Sequence, residues 1–235
     1  MRTGTSPRDA AAPRVEIVPA AELHRRAAEV MAGAMREALA LRDRCSIALS
    51  GGRSPAETFR HLATEDLLWS SVDVFQVDER VAPEGDPDRN LVLIQGELRV
   101  GARVYPMSVT DEDIDEAARR YEDELVRVCG RPPAVDLVHL GLGADGHIAS
   151  LVAGDHVLAV DDRYVAVTDE YRGYRRMTLT FPVLEAARRL VLVVEGEEKA
   201  DALAKMLAGE ASVPAARLIG RAILVLADPA AAGSA

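Results

Sequence analysis

The sequence predicts an α/β fold, a mainly parallel sheet with helices on both faces, and three observations carry that reading. Short apolar runs of strand length alternate with longer stretches of helical composition between residues 13 and 228. Two of the runs end in glycine-rich turns, Ser50-Gly51-Gly52-Arg53-Ser54 and Gly141-Leu142-Gly143-Ala144-Asp145-Gly146-His147. Each turn falls at the carboxyl end of a strand, where open α/β sheets collect ligands. No stretch between residues 13 and 228 has linker composition, so a single domain is expected, with 1–12 and 229–235 as disordered tails.

In chain order, Val15 to Val18 reads as a short strand and Ala20 to Ala40 as a helix rich in Ala, Glu, Arg and Leu. Cys45 to Leu49 is an apolar strand running into the first glycine turn. Pro55 and Glu57 open a helix through Ala63, with Ser54 as its expected cap and Glu57 in the capping-box position. Val72 to Val77 is the next strand and delivers Asp78-Glu79-Arg80 at its end, ahead of a Pro/Gly/Asp stretch that closes at Asn90. A helix from Asn90 to Leu98, a brief strand at Val104-Tyr105 and an amphipathic helix from Asp111 to Val128 follow. Val135 to Leu140 is the strand before the second glycine turn. Beyond it come strands at Tyr164 to Thr168 and Met177 to Phe181, then a helix started by Pro182. A strand from Leu190 to Glu195 and a helix across Glu197 to Leu207 lead to Ala222 to Leu226, which closes the sheet.

Composition bounds the function. A chain of 235 residues, 49% hydrophobic and 28% charged, buries a substantial core. Its net charge of -10 argues against nucleic acid as a partner, because clustered Lys and Arg drive that binding. A small anion remains compatible, since a few cations converging on one pocket outweigh net charge at contact distance. The longest apolar runs, such as Arg189 to Val194 and Ala222 to Ala227, fall short of the ~20 residues of a membrane span. Residues 1–12 lack the apolar core of a secretory signal, and Cys45 and Cys129 have no metal-ligand spacing and read as buried reduced thiols. A cytoplasmic protein is expected, with neither membrane nor nucleic acid among its partners.

Four constellations carry chemistry. At Ser50 to Ser54, successive backbone N–H groups at a helix N-terminus make a nest for an anion, without the Lys-Ser/Thr ending of nucleotide phosphate loops. At Asp78-Glu79-Arg80, a strand end presents an arginine able to fork onto phosphate or carboxylate while an acid fixes it. The third is Leu140 to Ser150, where Gly141, Gly143 and Gly146 permit positive φ or close approach to a ligand. It sets Asp145 two residues from His147, and an imidazole with an unperturbed pKa of ~6.5 is suited to take a proton from water. His24, His61, His139 and His156 read as structural, on helix faces, in a strand interior and in a loop. The fourth joins Arg175-Arg176 and Lys199, cations beside strand ends. Singly, these features also have plainer readings as a tight turn, solvated charges or surface cations; their order along one chain points to a site. The histidines lack His-x-x-x-His pairing, so no metal or other cofactor is expected.

In that order, SGGRSP (50–55), DER (78–80) with Asn90, LGLGADGHIASL (140–151), RRMTLT (175–180), EGEEKA (195–200) and SVPAARL (212–218) resemble the 6-phosphogluconolactonase family over about residues 14–226. The resemblance implies a modified Rossmann-like fold shared with glucosamine-6-phosphate and ribose-5-phosphate isomerases. It implies hydrolysis of 6-phospho-D-glucono-1,5-lactone to 6-phosphogluconate in the oxidative pentose phosphate pathway. His147 would act as general base with Asp145 beside it. Ser50, Gly51, Gly52, Arg53, Ser54, Asp78, Arg80, Asn90, Gly143, Arg176 and Lys199 would hold the substrate, the last two and Arg80 dividing phosphate and sugar in an order left open. The chain departs from the family at Arg53-Ser54, where Ser-Thr is common, at Arg89-Asn90 for Ser-Asn, and at Val152-Ala153 for Phe-Pro. These departures are expected at the pocket rim. Two other readings are an amino-sugar phosphate isomerase or deaminase, whose relatives carry Asp-Glu-Tyr at 78–80, and a non-catalytic sugar-phosphate binder.

Overall fold

The structure is a computed structural model and describes residues 13–52, 54–98 and 101–233. Its first half runs β1 (Arg14–Ile17), α1 (Ala20–Arg42), β2 (Cys45–Leu49), α2 (Pro55–Ala63), β3 (Val72–Gln76), β4 (Asp78–Arg80), α3 (Asn90–Glu97), β5 (Arg103–Tyr105) and α4 (Ile114–Cys129). The second half runs β6 (Leu137–Gly141), β7 (Val165–Val167), β8 (Arg176–Leu179), α5 (Phe181–Ala186), β9 (Leu190–Val194), α6 (Ala200–Leu207) and β10 (Ile223–Ala227). Asp113 Oδ1 accepts the Glu116 N–H at 2.9 Å, which starts α4 at Ile114 rather than at Asp111.

A seven-stranded sheet in the order β1-β10-β9-β6-β2-β3-β5 is parallel throughout. Its inner strands β2, β3 and β9 are buried from end to end because both faces are covered. Cys45, Ile47 and Leu49 of β2 join Val191 and Val193 of β9 in one core, under Met31 and Met35 of α1, Phe59 of α2 and Ile94 of α3. Ala48, Leu190, Leu192 and Val194 face a second core with Tyr121 and Leu125 of α4, Val183 of α5 and Leu203 of α6. Alternate residues of one strand thus feed opposite helical layers. Among the described residues no helix is long and apolar enough to cross a membrane.

Three expectations change. The chain does not stop pairing after β3. Val77 donates its N–H to Leu49 O at 3.0 Å and accepts the Leu179 N–H at 2.8 Å, then enters a separate antiparallel sheet ordered β4-β8-β7. Strands of three or four residues are too short for a period to separate them from the main sheet in sequence. The strand expected to close the sheet is internal: β10 lies between β9 and β1, because β1 adds outside it. The residues expected as a tail from 229 continue in turns to Gly233, where the Ala231 N–H donates to Asp228 Oδ1 at 2.7 Å and Ala231 is buried. The tail expected over 1–12 lies outside the described residues.

Candidate active site

The carboxyl ends of β2, β6 and β9 meet β4 and β8 at a cleft of about 340 Å³. Of the residues the sequence proposes, it brings together Ser50, Gly51, Gly52, Ser54, Asp78, Arg80, Asn90, Gly143, His147, Arg176 and Lys199. Asp145 reaches the cleft through His147, and Arg53 lies outside the described residues.

The turn after β6 closes through the Gly143 N–H, which donates to His147 O at 2.8 Å. A Cβ on Gly143 would stand 2.1 Å from His147 Nδ1 and 2.5 Å from Asp145 Oδ1, so only glycine lets the two side chains lie across the turn. Gly141 has open space at that position and simply ends β6 at the cleft. Asp145 Oδ1 is 2.5 Å from His147 Nδ1. Burial alone would raise the Asp145 pKa, but the hydrogen bond and charge of His147, with the Tyr171 hydroxyl, hold it at about 2. An ionised carboxylate can only accept, so the proton of a neutral His147 sits on Nδ1 and Nε2 is left basic.

Behind β4 the polar groups are committed to one another. Asp78 is buried, its Oδ2 accepting from Ser150 Oγ at 2.5 Å and its Oδ1 from Asn90 Nδ2 at 3.0 Å. Burial raises the Asp78 pKa, opposed by the Ser150 hydrogen bond and by the Arg176 guanidinium, whose Nη1 is 3.9 Å away. Asn90 also donates to Asp78 O at 2.8 Å, and its Oδ1 stands 1.9 Å from where a Gly51 Cβ would be. Ser50 Oγ donates to His139 O at 3.0 Å. Ser54 does not cap α2; its Oγ donates to Glu195 Oε2 at 3.0 Å, drawn off by a carboxylate from the end of β9. Ser50 and Asn90 therefore build the cradle, and what Gly51 and Gly52 turn to a ligand is backbone.

Glu79 is fully buried and faces away from the cleft. Its carboxylate accepts the N–H groups of Arg80, Asn90 and Leu91 at 2.8, 2.8 and 2.9 Å, and Gln76 Nε2 at 2.9 Å. It also lies 3.0 Å from Arg89 Nε, while Arg89 Nη1 donates to Ala82 O at 3.1 Å. One carboxylate so caps α3 and ties down the loop that leads into it. The departure at Arg89, expected at the rim, is a buried ion pair beneath it.

Arg80, Arg172, Arg176 and Lys199 are the cationic side chains among the described lining residues, and Arg175 is not one of them. Arg80 Nη1 donates to Asp88 O at 2.5 Å, and its guanidinium lies 5.9 Å from the Tyr174 ring centroid. Arg176 is buried with its Nε unpartnered among the described residues; burial pulls its pKa down and the Asp78 charge opposes this. Lys199 closes a 3₁₀ turn, Glu197–Lys199, ahead of α6, where a single helix from Glu197 is expected. Beneath the cleft His139 is fully buried edge-on to Phe59, ring centroids 5.4 Å apart, with neither ring nitrogen partnered among the described residues.

The sequence reading passes over Tyr171, Arg172 and Ser150. Tyr171 and Tyr174 pair across Arg172 and Gly173, whose φ values of 52° and 82° make a two-residue hairpin turn. The signal was present as an Arg-Gly step between two aromatics.

A base held by an acid, set in a cleft with four cations among its described residues, suits attack by water on a substrate that carries an anionic group. Comparison with known proteins agrees in kind. Residues 19–225 match the profile of the family described as glucosamine-6-phosphate isomerases/6-phosphogluconolactonase. A 6-phosphogluconolactonase of Synechocystis sp. is 37% identical over 184 residues, 74% of this chain and 76% of that protein. One of Mycobacterium tuberculosis is 35% identical over 226 residues, 88% of this chain and 92% of that protein. The solved 6-phosphogluconolactonase from Trypanosoma cruzi has a TM-score of 0.84 at 25% identity, covering 94% of this chain and 96% of that one. A monomeric glucosamine-6-phosphate deaminase shares the modified Rossmann-like fold, with a TM-score of 0.76 at 23% identity over 94% of this chain and 100% of its own. With its profile spanning residues 19–225, the chain belongs to the glucosamine-6-phosphate isomerase/6-phosphogluconolactonase family.

Proposed function

We propose that the chain hydrolyses 6-phospho-D-glucono-1,5-lactone to 6-phosphogluconate, with His147 as general base. The observation that carries the assignment of the base is the 2.5 Å contact between Asp145 Oδ1 and His147 Nδ1 at the wall of a cation-lined cleft. A lactone is an internal ester. His147 Nε2 takes a proton from water as the water oxygen attacks the carbonyl carbon, and Asp145 stabilises the imidazolium that forms. The tetrahedral intermediate then expels the ring oxygen, which receives the proton back from Nε2. Such a base contributes ~10²–10⁴ in rate.

Arg80, Arg176, Lys199 and the backbone of Gly51 and Gly52 hold the phosphate and sugar, and binding energy from the unreactive phosphate fixes the carbonyl at the base. Arg176 Nε, buried without a partner among the described residues, is a donor able to meet an acceptor on the substrate. Arg80, where amino-sugar isomerase relatives carry tyrosine, favours the lactonase over the deaminase. The free thiols Cys45 and Cys129 suit a cytoplasmic setting.

Fresh lactone, with release of 6-phosphogluconate followed by a coupled dehydrogenase and spontaneous opening subtracted, tests the proposal. We expect turnover well above background that H147Q lowers by ~10²–10⁴ while leaving 6-phosphogluconate affinity intact. A wild-type rate equal to background, or ammonia release from glucosamine 6-phosphate, refutes it.

A further inference from the structure

The hairpin between β7 and β8 spans the mouth of the cleft and touches both of its sides. On one side Tyr171 Oη donates to Asp145 Oδ2 at 2.9 Å, and the Tyr171 ring meets the His147 ring edge-on with centroids 5.6 Å apart. On the other, Tyr174 Oη donates to Asp88 Oδ2 at 3.0 Å beside the Arg80 guanidinium. The turn between them is closed by reciprocal bonds, Tyr171 N–H to Tyr174 O at 2.9 Å and Tyr174 N–H to Tyr171 O at 3.3 Å. A two-residue turn of this kind is rigid, so the Tyr171 hydroxyl is delivered from the small sheet to a carboxylate on the large one.

Asp145 has need of such a partner. Its side chain is 39% exposed and sits on a glycine-flanked turn, so contact with His147 alone leaves it free to rotate. With Oδ1 on Nδ1 and Oδ2 on the tyrosine hydroxyl, both oxygens are fixed and the carboxylate plane is set.

We propose that Tyr171 is a positioning residue of the lactonase reaction, locking Asp145 so that His147 turns Nε2 toward the attacking water. The proposal rests on the lactonase reading above. Without the Tyr171 O–H the carboxylate is free to turn off Nδ1, protonated His147 loses part of its counter-charge, and protonation of the base moves to lower pH. The other charged groups at this cleft among the described residues are Arg80, Arg172, Arg176 and Lys199, with Asp78 and Glu195 as acids, and all are retained when only the tyrosine hydroxyl is removed.

The test compares wild type and Tyr171→Phe in the lactone assay across pH 5–8. We expect kcat at the optimum to fall about ten-fold, the scale of one hydrogen bond to a charged group, with KM changed less than about two-fold. The acid limb of kcat/KM moves down by on the order of half a pH unit. Tyr171→Leu, which also removes the ring, should lower kcat further with the acid limb in the same displaced position. A Phe variant with wild-type kcat and pH profile overturns the proposal, and so does one whose rate falls equally at every pH with the limb unmoved. A wild type without lactonase activity defeats the lactonase reading and this proposal with it, an outcome plain before any variant is made.

Discussion

Replacing His139 by Leu changes how the fold answers acid. The ring is fully buried in β6, and burial, helped by the neighbouring charge of His24, lowers its pKa from 6.5 to about 4. In the unfolded chain the same ring titrates near its ordinary value. Between the two values the unfolded chain binds a proton that the folded chain refuses. The sign follows: stability is fully present above about pH 6.5, declines as pH falls, and levels off below about pH 4, at up to about 1.4 kcal/mol per unit. The loss from pH 7 to pH 5 is about 2 kcal/mol. Leu abolishes this titration and removes two buried nitrogens that have no partner among the described residues, so the variant should be as stable as wild type or more so at pH 7. Urea unfolding at both pH values, followed by fluorescence of the single tryptophan, Trp69, reads the difference. Every other titrating group is shared, so the expected result is a gap that widens in favour of the variant by about 2 kcal/mol at pH 5. Parallel stability curves would refute the account of a ring forced to stay neutral.

Two further outcomes follow from the packing around β4. Glu79→Gln leaves the buried Arg89 guanidinium without its counter-charge and should cost about 3–5 kcal/mol in a denaturant titration; a loss under about 1 kcal/mol would mean that the pair is not a support of this region. Gly51→Ala pushes a methyl group to 1.9 Å from Asn90 Oδ1 and should raise KM for the lactone by about ten-fold or more, whereas Gly33→Ala, on the exposed face of α1 with open space at its Cβ and outside the cleft lining, should leave KM unchanged. Equal effects of the two alanines would contradict the assignment.

The sequence made the large sheet legible because inner strands such as Cys45 to Leu49, apolar but for Ser46, and the unbroken apolar run Leu190 to Val194 end at glycine turns or charges. The glycine-lined turn with Asp145 and His147 was legible for the same reason, since close approach at Gly143 leaves a mark in composition. The small sheet was not, because β4, β7 and β8 depend on pairing between segments far apart in sequence. Asp78 and Glu79 show the same limit at one residue's resolution. Two adjacent acids look alike in sequence, yet strand alternation sends residues 78 and 80 to the cleft and residue 79 into the interior. Arg89 reads as a surface cation until the chain folds back and Glu79 meets it ten residues away. Tyr171 acts across the cleft on a turn 26 residues earlier, a relation that exists only in three dimensions.

The exchange of hydrogen bonds at Val77 has a mechanical consequence. That single residue is bonded to β2 on one side and to Leu179, at the end of β8, on the other, and Ser150 cross-links the imidazole-bearing turn to Thr178 and Asp78 on the far sheet. The arginines at 80 and 176 belong to one jaw and the imidazole to the other, as in a caliper whose screw has been tightened. The spacing between those arginines and the imidazole is thereby held by the bonds that join the two sheets.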